Sequence, residues 1–178
     1  MNENGFKTLT MKEFEQWMYK EIELPAKSVL ITVDDGAFGT DTHLPKIIDE
    51  YNVKATLFLV TAWWDKSKYN SPNLEIQSHG YDLHKQGNCG NVRALCLSHD
   101  ELVADLKKSI ELSDNNLSIA YPFYKYNDNV IQAVKDSGFK IAFAGGGTKA
   151  YQTSNKYAIP RIEIFNTTTL DQIKKYIN

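Results

Sequence analysis

The sequence alternates short apolar runs rich in β-branched residues with longer segments whose apolar residues recur every three or four positions. The first pattern is typical of buried strands, and the second is typical of helices that pack on one face. We predict strands at residues 28–33, 54–60, 74–78, 117–121, 139–144 and 157–164. Because parallel strands need long crossover connections, this alternation predicts an α/β fold with parallel strands. The pattern alone allows either a barrel or an open doubly wound sheet.

The 178 residues are enough for one domain with a sizeable core. We predict a single domain over residues 1–178, in which residues 1–27 form an N-terminal helical extension. Within that extension, Thr10 to Glu13 has the form of a capping box. We therefore expect a helix over residues 10–20 whose aromatic face packs into the core.

Composition excludes some functional classes. A formal net charge of −2, with Lys and Arg scattered along the chain, is not typical of nucleic-acid binding. No apolar run is long enough to cross a bilayer, so we expect no transmembrane segment, and the N-terminus shows no signal-peptide pattern. Cys89 and Cys96 are the only cysteines. A disulfide between them is one alternative, but two thiols near one loop are more often free, so we expect free thiols and infer no compartment from them.

Two adjacent carboxylates end the first predicted strand, in Thr32-Val33-Asp34-Asp35-Gly36. Charges at a buried strand end are costly unless they have a partner or bind a metal. Taken alone, Asp-Asp-Gly also suits a plain turn, in which Asp caps its own backbone and Gly supplies a positive φ.

A pair of histidines, His79 and His84, follows the predicted strand 74–78. One carboxylate and two imidazoles are a common ligand set for a catalytic divalent metal with an open position. A spacing of five puts two helical residues about 140° apart, so a strand end and a turn at Gly80 bring them together better than a helix does. The alternative is two surface histidines beside a loop. With the Asp pair at another strand end, we favour metal ligands, which leaves the second carboxylate free to act as a base.

These residues resemble the polysaccharide deacetylase family, also called the NodB-homology family of carbohydrate esterases. Its usual first motif, T-F-D-D-G, corresponds to Thr32 through Gly36, with Val33 in place of Phe. Its second motif, H-[ST]-x-x-H, corresponds to His79 and His84, which are five apart instead of four. The wider spacing resembles the branch that contains the poly-N-acetylglucosamine deacetylases of biofilms. The resemblance runs from about residue 28 to the C-terminus and implies a distorted, incomplete (β/α) barrel of seven or eight strands.

The segment Tyr121-Pro122-Phe123-Tyr124 resembles the third family motif, R-x-P-Y-G, with Ala120 in the Arg position. In the family, that Arg orients the catalytic Asp, and the amide after Pro helps to stabilise the oxyanion. The Phe123 N–H can keep the second role because an amide needs no particular side chain. Arg161 is our candidate for orienting Asp34, with a fold-stabilising ion pair as the alternative.

Leu97-Ser98-His99-Asp100 matches the fifth motif, L-x-H-D, whose His is the usual general acid of the family. Here it precedes the third motif, and Ser98 to Glu101 is itself a capping box. We therefore assign His99 to the first turn of a helix. No histidine lies beyond residue 99, so the usual acid is missing from its expected place. His43 is a weaker candidate for the general acid, because its position is more typical of the first turn of a helix.

The resemblance implies a metal-dependent hydrolase that removes N-acetyl groups from an N-acetylglucosamine-containing polysaccharide, such as a biofilm glucan, peptidoglycan or a chitin-like polymer. Asp35, His79 and His84 would bind one divalent metal, with Zn expected and Ni or Co as alternatives. Asp34 would be the general base.

Three aromatic residues are candidates for contacts with the sugar: Tyr124, Trp63 and Trp64. Aromatic rings near sugar sites often stack on the pyranose face, although Trp is commonly buried as part of a core. We expect a monomer with a polysaccharide substrate, located outside the cell or in the cell envelope as the family usually is. Two rival functions stay open, namely hydrolysis of a small amide or cyclic imide, and a non-catalytic carbohydrate-binding relic of the fold.

Overall fold

The computed structural model of this protein describes residues 5–113 and 115–177. The strands in this part of the chain are β1 (Lys7–Thr8), β2 (Ser28–Val29), β3 (Thr32–Asp35), β4 (Ala55–Leu59), β5 (Leu74–Ser78), β6 (Ser118–Ala120) and β7 (Ile141–Phe143). The helices are α1 (Met11–Met18), α2 (Thr40–Glu50), α3 (Arg93–Cys96), α4 (His99–Ser113), α5 (Asp128–Asp136) and α6 (Leu170–Ile177).

Five of the strands form one parallel sheet in chain order, β3-β4-β5-β6-β7, which curls into a half-barrel. Helix α2 connects β3 to β4, helices α3 and α4 connect β5 to β6, and α5 connects β6 to β7. A loop with a 3₁₀ turn at Lys66–Lys68 connects β4 to β5. The prediction of an α/β fold built as an incomplete (β/α) barrel is confirmed, and the open doubly wound alternative is not needed. Seven or eight barrel strands were expected, whereas five form the barrel sheet among the described residues.

Two strand predictions were wrong in their extent. The run 28–33 divides into β2, which pairs with β1, and β3, which pairs with β4, because its two ends hydrogen-bond to different partners. The run 157–164 contributes a single bridge between Ile159 and Phe143. Pro160 follows that bridge directly and has no N–H for a further ladder bond.

Helix α1 packs against the inner side of the sheet. Its buried residues Met11, Phe14 and Met18 join one apolar cluster with Phe58 of β4 and Phe143 of β7. The helix begins at the predicted capping box, in which the Thr10 side chain accepts the Glu13 N–H and Glu13 accepts the Thr10 N–H.

This packing supports our proposal of a single domain over residues 1–178, in which the segment 1–27 contributes to the core. Residues 1–4, 114 and 178 lie outside the part of the chain that the structure describes.

The prediction of free thiols was wrong, since Cys89 and Cys96 form a disulfide with their Cα atoms 5.5 Å apart. The chain reverses around Cys89, where the Gly87 N–H donates to the Asn91 carbonyl at 2.8 Å and Gln86 bridges to Val92. A separation of seven residues in sequence therefore becomes a short distance in space, which spacing alone did not reveal.

A second apolar cluster lies between the sheet and helices α4 and α5. It includes Leu102 and Leu106 of α4, Val130 and Val134 of α5, and Ile119 of β6. His99 begins α4, as predicted, and its Nε2 lies 2.9 Å from an Asp136 oxygen on α5. Within the described residues, no helix combines the length and the apolar character needed to cross a bilayer.

Replacing Met18 by Ala tests whether α1 is part of the core. The side chain is fully buried, so we expect the free energy of unfolding in urea to fall by about 2–5 kcal/mol. Lys12→Arg is the control on the same helix, because Lys12 is exposed and an arginine keeps the ion pair with the buried Glu15, and we expect a change of less than about 1 kcal/mol. Equal small effects of both changes would contradict a core role for α1.

The His99 contacts predict a pH-dependent contribution to stability. Hydrogen bonds to Asp100 and Asp136 raise the pKa of His99 above its ordinary 6.5. The stabilisation is therefore fully present below about pH 6.5 and is lost as pH rises through the raised pKa. We expect His99→Gln to lower the melting temperature more at about pH 5.5 than at about pH 8.5. In an Asp100→Asn, Asp136→Asn background this difference should largely disappear, and its persistence there would refute the assignment.

Candidate metal centre

The carboxyl ends of β3 and β5 carry the central side chains of the site. Asp34 and Asp35 end β3, and His79 directly follows β5, with β4 between the two strands. Strands that run parallel bring such residues to one rim of the sheet, where (β/α) barrels place their active sites. Asp35 has a φ of +74°, which departs from strand geometry, in which successive side chains point to opposite faces. The two adjacent carboxylates can therefore both serve the same rim.

Asp35, His79 and His84 converge on one point. Asp35 Oδ1 lies 3.2 Å from His79 Nε2 and 3.1 Å from His84 Nε2. The three ligand atoms all lie within 4.8 Å of one another. The hypothesis of two unrelated surface histidines does not fit this arrangement, since His79 is buried and His84 is half-buried.

The hydrogen bonds around His79 show what the cluster can hold. His79 Nδ1 lies 2.8 Å from the Ala120 carbonyl oxygen, which can only accept a hydrogen bond. In a neutral ring, Nδ1 therefore carries the proton, and Nε2 turns a bare lone pair toward Asp35 Oδ1. That carboxylate oxygen is buried and has no hydrogen-bond partner among the described residues. Facing lone pairs at this distance are unfavourable unless a proton or a metal ion lies between them, and the three residues therefore fit a divalent metal.

The electrostatics of the cluster favour the protonation states that metal ligands require. Contact with His79 holds the pKa of the Asp35 carboxyl below its ordinary value, burial opposes this shift, and His84 and Arg161 add to it. Burial lowers the pKa of His84, which favours the neutral imidazole over the charged one.

Arg161 binds the side chain of Asp34, the other carboxylate of the pair. Its Nη1 and Nη2 donate to the two oxygens of Asp34, each at 2.7 Å, and Nη1 also donates to Thr32 Oγ1 at 3.2 Å. The guanidinium lies over the rings of Phe58 and Tyr124, 5.5 and 5.4 Å from their centroids. The structure thus places Arg161 against the residue that it was predicted to orient.

The turn after β6 lies beside the cluster. Phe123 and Tyr124 have φ angles of +55° and +57°, a conformation that is strained for bulky residues. The Phe123 ring packs 4.0 Å from the His84 ring, centroid to centroid. Within the described residues, the Phe123 N–H has no protein acceptor, whereas the Tyr124 N–H donates to the Tyr121 carbonyl. The amide that was expected to face an oxyanion is therefore free to donate.

The two tryptophans have different surroundings. Trp63 is exposed, and its ring packs edge-on against His84 with centroids 5.3 Å apart. Trp64 is half-buried and packs with an apolar cluster that includes Leu57 and Tyr69. A stacking role suits Trp63, whereas Trp64 fits the alternative of packing at the end of the barrel.

A cleft of about 370 Å³ opens beside Asp34 and Arg161 and includes Tyr124, Glu163 and Phe165 in its walls. Burial, followed by contact with the Glu163 carboxylate, raises the pKa of Tyr124 to about 12. Sequence reasoning missed Glu163, which follows Arg161 by two residues in an irregular segment without a recognisable motif.

Sequence reasoning also missed Asp105, whose two oxygens accept the Tyr81 and Asp82 N–H groups at 2.8 and 2.9 Å. Its signal was present in the sequence, as a charged residue on the buried face of α4 beside Leu102 and Leu106.

The other two histidines lie apart from the cluster. His43 is in the first turn of α2, and His99 pairs with Asp136 at the far side of α4. Among the described residues, Asp35, His79 and His84 form the group that could hold a metal, and neither His43 nor His99 belongs to it.

Comparison with known proteins shows to which family the chain belongs. The polysaccharide deacetylase family model matches residues 21–142, which is more than half of the chain. The chain belongs to the polysaccharide deacetylase family. It is 26% identical over 190 residues to a poly-beta-1,6-N-acetyl-D-glucosamine N-deacetylase of Staphylococcus aureus and 28% identical over 194 residues to one of Staphylococcus epidermidis. Both alignments cover 96% of this chain and 65% of the relative, so the chain spans just under two thirds of the relatives' length.

Solved structures show the same fold. A de-N-acetylase from Aggregatibacter actinomycetemcomitans superposes with a TM-score of 0.80 at 20% identity, covering 98% of this chain and 84% of the other. IcaB from Ammonifex degensii superposes with a TM-score of 0.74 at 19% identity, covering 99% and 84% of the two chains. The predicted family and the predicted barrel are both confirmed.

Metal content tests the cluster. We expect the purified chain, after reconstitution, to hold about one divalent ion, and His79→Ala and His84→Ala each to lose it, because each removes one of three ligands. Asp34→Asn is the control, since Asp34 is held by Arg161 outside the ligand group. Mass spectrometry of the native protein measures the stoichiometry. A reconstituted parent without an ion would refute the site.

Proposed function

We propose that this chain is a metal-dependent N-deacetylase that removes acetyl groups from an N-acetylglucosamine-containing polysaccharide, with poly-β-1,6-N-acetylglucosamine as the first candidate. Family membership and the activity named for the staphylococcal relatives support this proposal. The observation that carries it is that two adjacent carboxylates have different partners. Asp35 lies with the two imidazoles, whereas Asp34 is bound by Arg161.

The three ligands fit Zn²⁺, with Ni²⁺ and Co²⁺ as alternatives, because two imidazoles and one carboxylate leave an open coordination position. When bound, the ion supplies Lewis acidity that polarises the acetyl carbonyl and activates a water. His79 is prepared for this task because its Nδ1 is bound to the Ala120 carbonyl, which turns Nε2 toward the ligand group.

Asp34 takes the proton of the attacking water as general base. A carboxylate offers about four lone-pair positions, and Arg161 occupies two of them, so capacity to accept a proton remains. The two hydrogen bonds from Arg161 fix the orientation of the Asp34 carboxylate and therefore the direction of its remaining lone pairs. Because neither His43 nor His99 belongs to the cluster, we propose that Asp34 returns this proton to the leaving amine.

The turn after β6 contributes the remaining contacts. The Phe123 N–H donates to the oxyanion that develops on the acetyl carbonyl. Trp63 offers an exposed ring for stacking on a sugar, and Tyr124 forms the wall of the cleft beside Asp34. Trp64 contributes only indirectly, by packing in the apolar cluster with Leu57 and Tyr69.

We propose that the protein works outside the cell or in the cell envelope, where its polymeric substrate would lie. The disulfide between Cys89 and Cys96 supports this location, because such bonds persist in oxidising compartments. A monomeric state stays a prediction.

Acetate release from poly-β-1,6-N-acetylglucosamine oligomers tests the mechanism. We expect Asp34→Asn to lower kcat by about 10²–10⁴-fold, because the general base is lost. Arg161→Lys should lower kcat by about 10²-fold with metal content unchanged, since an ammonium keeps the charge but not the bidentate grip. Asp100→Asn is the control, because it removes one fully exposed carboxylate.

An Asp34→Asn variant as active as the parent would refute the mechanism. A metal-loaded parent that releases no acetate from the polymer but hydrolyses a small amide or imide would support the small-substrate alternative. A parent that binds the polymer without turnover would support the alternative of a non-catalytic carbohydrate-binding protein.

A further inference from the structure

The interval between the two histidine ligands, residues 80–83, has to be held in place by contacts from other parts of the chain. His79 is fixed by β5 and by the Ala120 carbonyl, but His84 lies five residues later, beyond a turn that begins at Gly80 with a φ of +80°. Neither helix nor strand hydrogen bonds define this interval. The position of His84 Nε2 therefore depends on whatever fixes residues 80–83.

The loop after β4 holds two carbonyls of this interval, since the Thr61 and Ala62 N–H groups donate to the Gly80 and Tyr81 carbonyls at 3.3 and 3.0 Å. Helix α4 holds the amides of the interval through Asp105. One carboxylate oxygen accepts the Tyr81 N–H at 2.8 Å and the other accepts the Asp82 N–H at 2.9 Å. Both bonds fall in the middle of the interval between the ligands. The carboxylate is half-buried, so its charge is costly unless these two amides compensate it. A half-buried charge whose oxygens both bind the same turn is well suited to fixing that turn.

Ser109 lies one helical turn after Asp105 and holds the start of the interval. Its Oγ lies 2.7 Å from Ser78 Oγ, which in turn accepts the Gly80 N–H at 3.0 Å. Residues at i and i+4 share one face of a helix, so α4 contacts the chain on both sides of His79 with one face. Leu83 completes the anchoring, because it is buried in the same cluster as Leu102 and Leu106 of α4.

We propose that Asp105 is a positioning residue that sets the metal affinity of the site, by holding the turn that places His84. This inference rests on the proposed metal-dependent function. It makes α4 a second layer of the site, although none of its residues belongs to the ligand group. Asp82 is not the equivalent support, because its side chain pairs with Lys85 and lies near Arg93, and only its N–H belongs to the anchored turn.

The test is Zn²⁺ affinity by competition with a chelating dye, measured on Asp105→Asn and on the parent. Asn can accept one of the two N–H groups, but its NH₂ faces the other, so one anchor is lost. We expect Zn²⁺ to bind about 10–100-fold more weakly, the range for partners that orient metal ligands. With Co²⁺ in the site, the visible absorption bands should also change, because His84 is displaced.

Glu101→Gln is the matched control. Glu101 lies on the same helix and accepts the Ser98 N–H at 2.8 Å through one oxygen, so the same change from carboxylate to amide is made on α4 away from the turn. We expect its Zn²⁺ affinity and Co²⁺ spectrum to match those of the parent. If Glu101→Gln weakens binding as much as Asp105→Asn does, the effect belongs to helix stability, and the proposal is overturned.

Hydrogen exchange of the parent keeps the proposal testable if Asp105→Asn does not fold. The Tyr81 and Asp82 amides should be protected in the metal-free protein, since Asp105 binds them before any ion does. Exchange of both amides at unprotected rates would overturn the proposal, as would a folded Asp105→Asn that binds Zn²⁺ like the parent. A parent that binds no metal would overturn the proposed function as well, so the two failures are distinguishable.

Discussion

The ion pair between Arg161 and Asp34 joins the two sides of an open sheet. Arg161 comes directly after the segment that pairs with β7, whereas Asp34 and Thr32 belong to β3 at the opposite edge. Backbone hydrogen bonds do not connect these edges among the described residues, so the half-barrel is bridged here by side chains. Two charge-assisted bonds in one plane fix orientation as well as distance. One interaction therefore bridges the two edges of the sheet and fixes the orientation of Asp34, the proposed base.

The neighbouring carboxylate lies in a very different environment. Asp34 has its charge compensated by a guanidinium, whereas Asp35 Oδ1 is buried, has no hydrogen-bond partner among the described residues and faces the imidazole nitrogens. Such an arrangement is unfavourable while both imidazoles are neutral and is favourable around a cation. Two adjacent residues of the same type thus acquire separate roles from their surroundings alone. The positive φ of Asp35 allows this, because a regular strand would send their side chains to opposite faces.

Support for the site comes from three directions. Helix α1 fills the inner side of the sheet, the turn at Phe123 closes over His84, and α4 holds the interval between the histidines. The strained backbone at Phe123 and Tyr124 is consistent with a functional region, where surrounding contacts maintain conformations that a free chain would avoid. The disulfide between Cys89 and Cys96 staples the loop that follows His84, so the segment after the second ligand is restrained as well.

Local pattern was enough to predict the parallel α/β architecture, the strand that delivers His79, the helix that begins at His99 and the family. These features depend on short-range periodicity and on motifs that are contiguous in the chain. The same information left other features undecided or wrong. The run 28–33 serves two sheets, the run 157–164 forms only a bridge, and the two cysteines pair, because partners distant in sequence decide each outcome. Asp105 and Arg161 acquire their contacts from residues 23 to 129 positions away, which no spacing rule specifies. The sequence therefore carries the chemistry of the candidate site in its Asp and His residues, while tertiary packing decides which of those groups meet, because the burial and charge pairing that position them exist only in the folded chain.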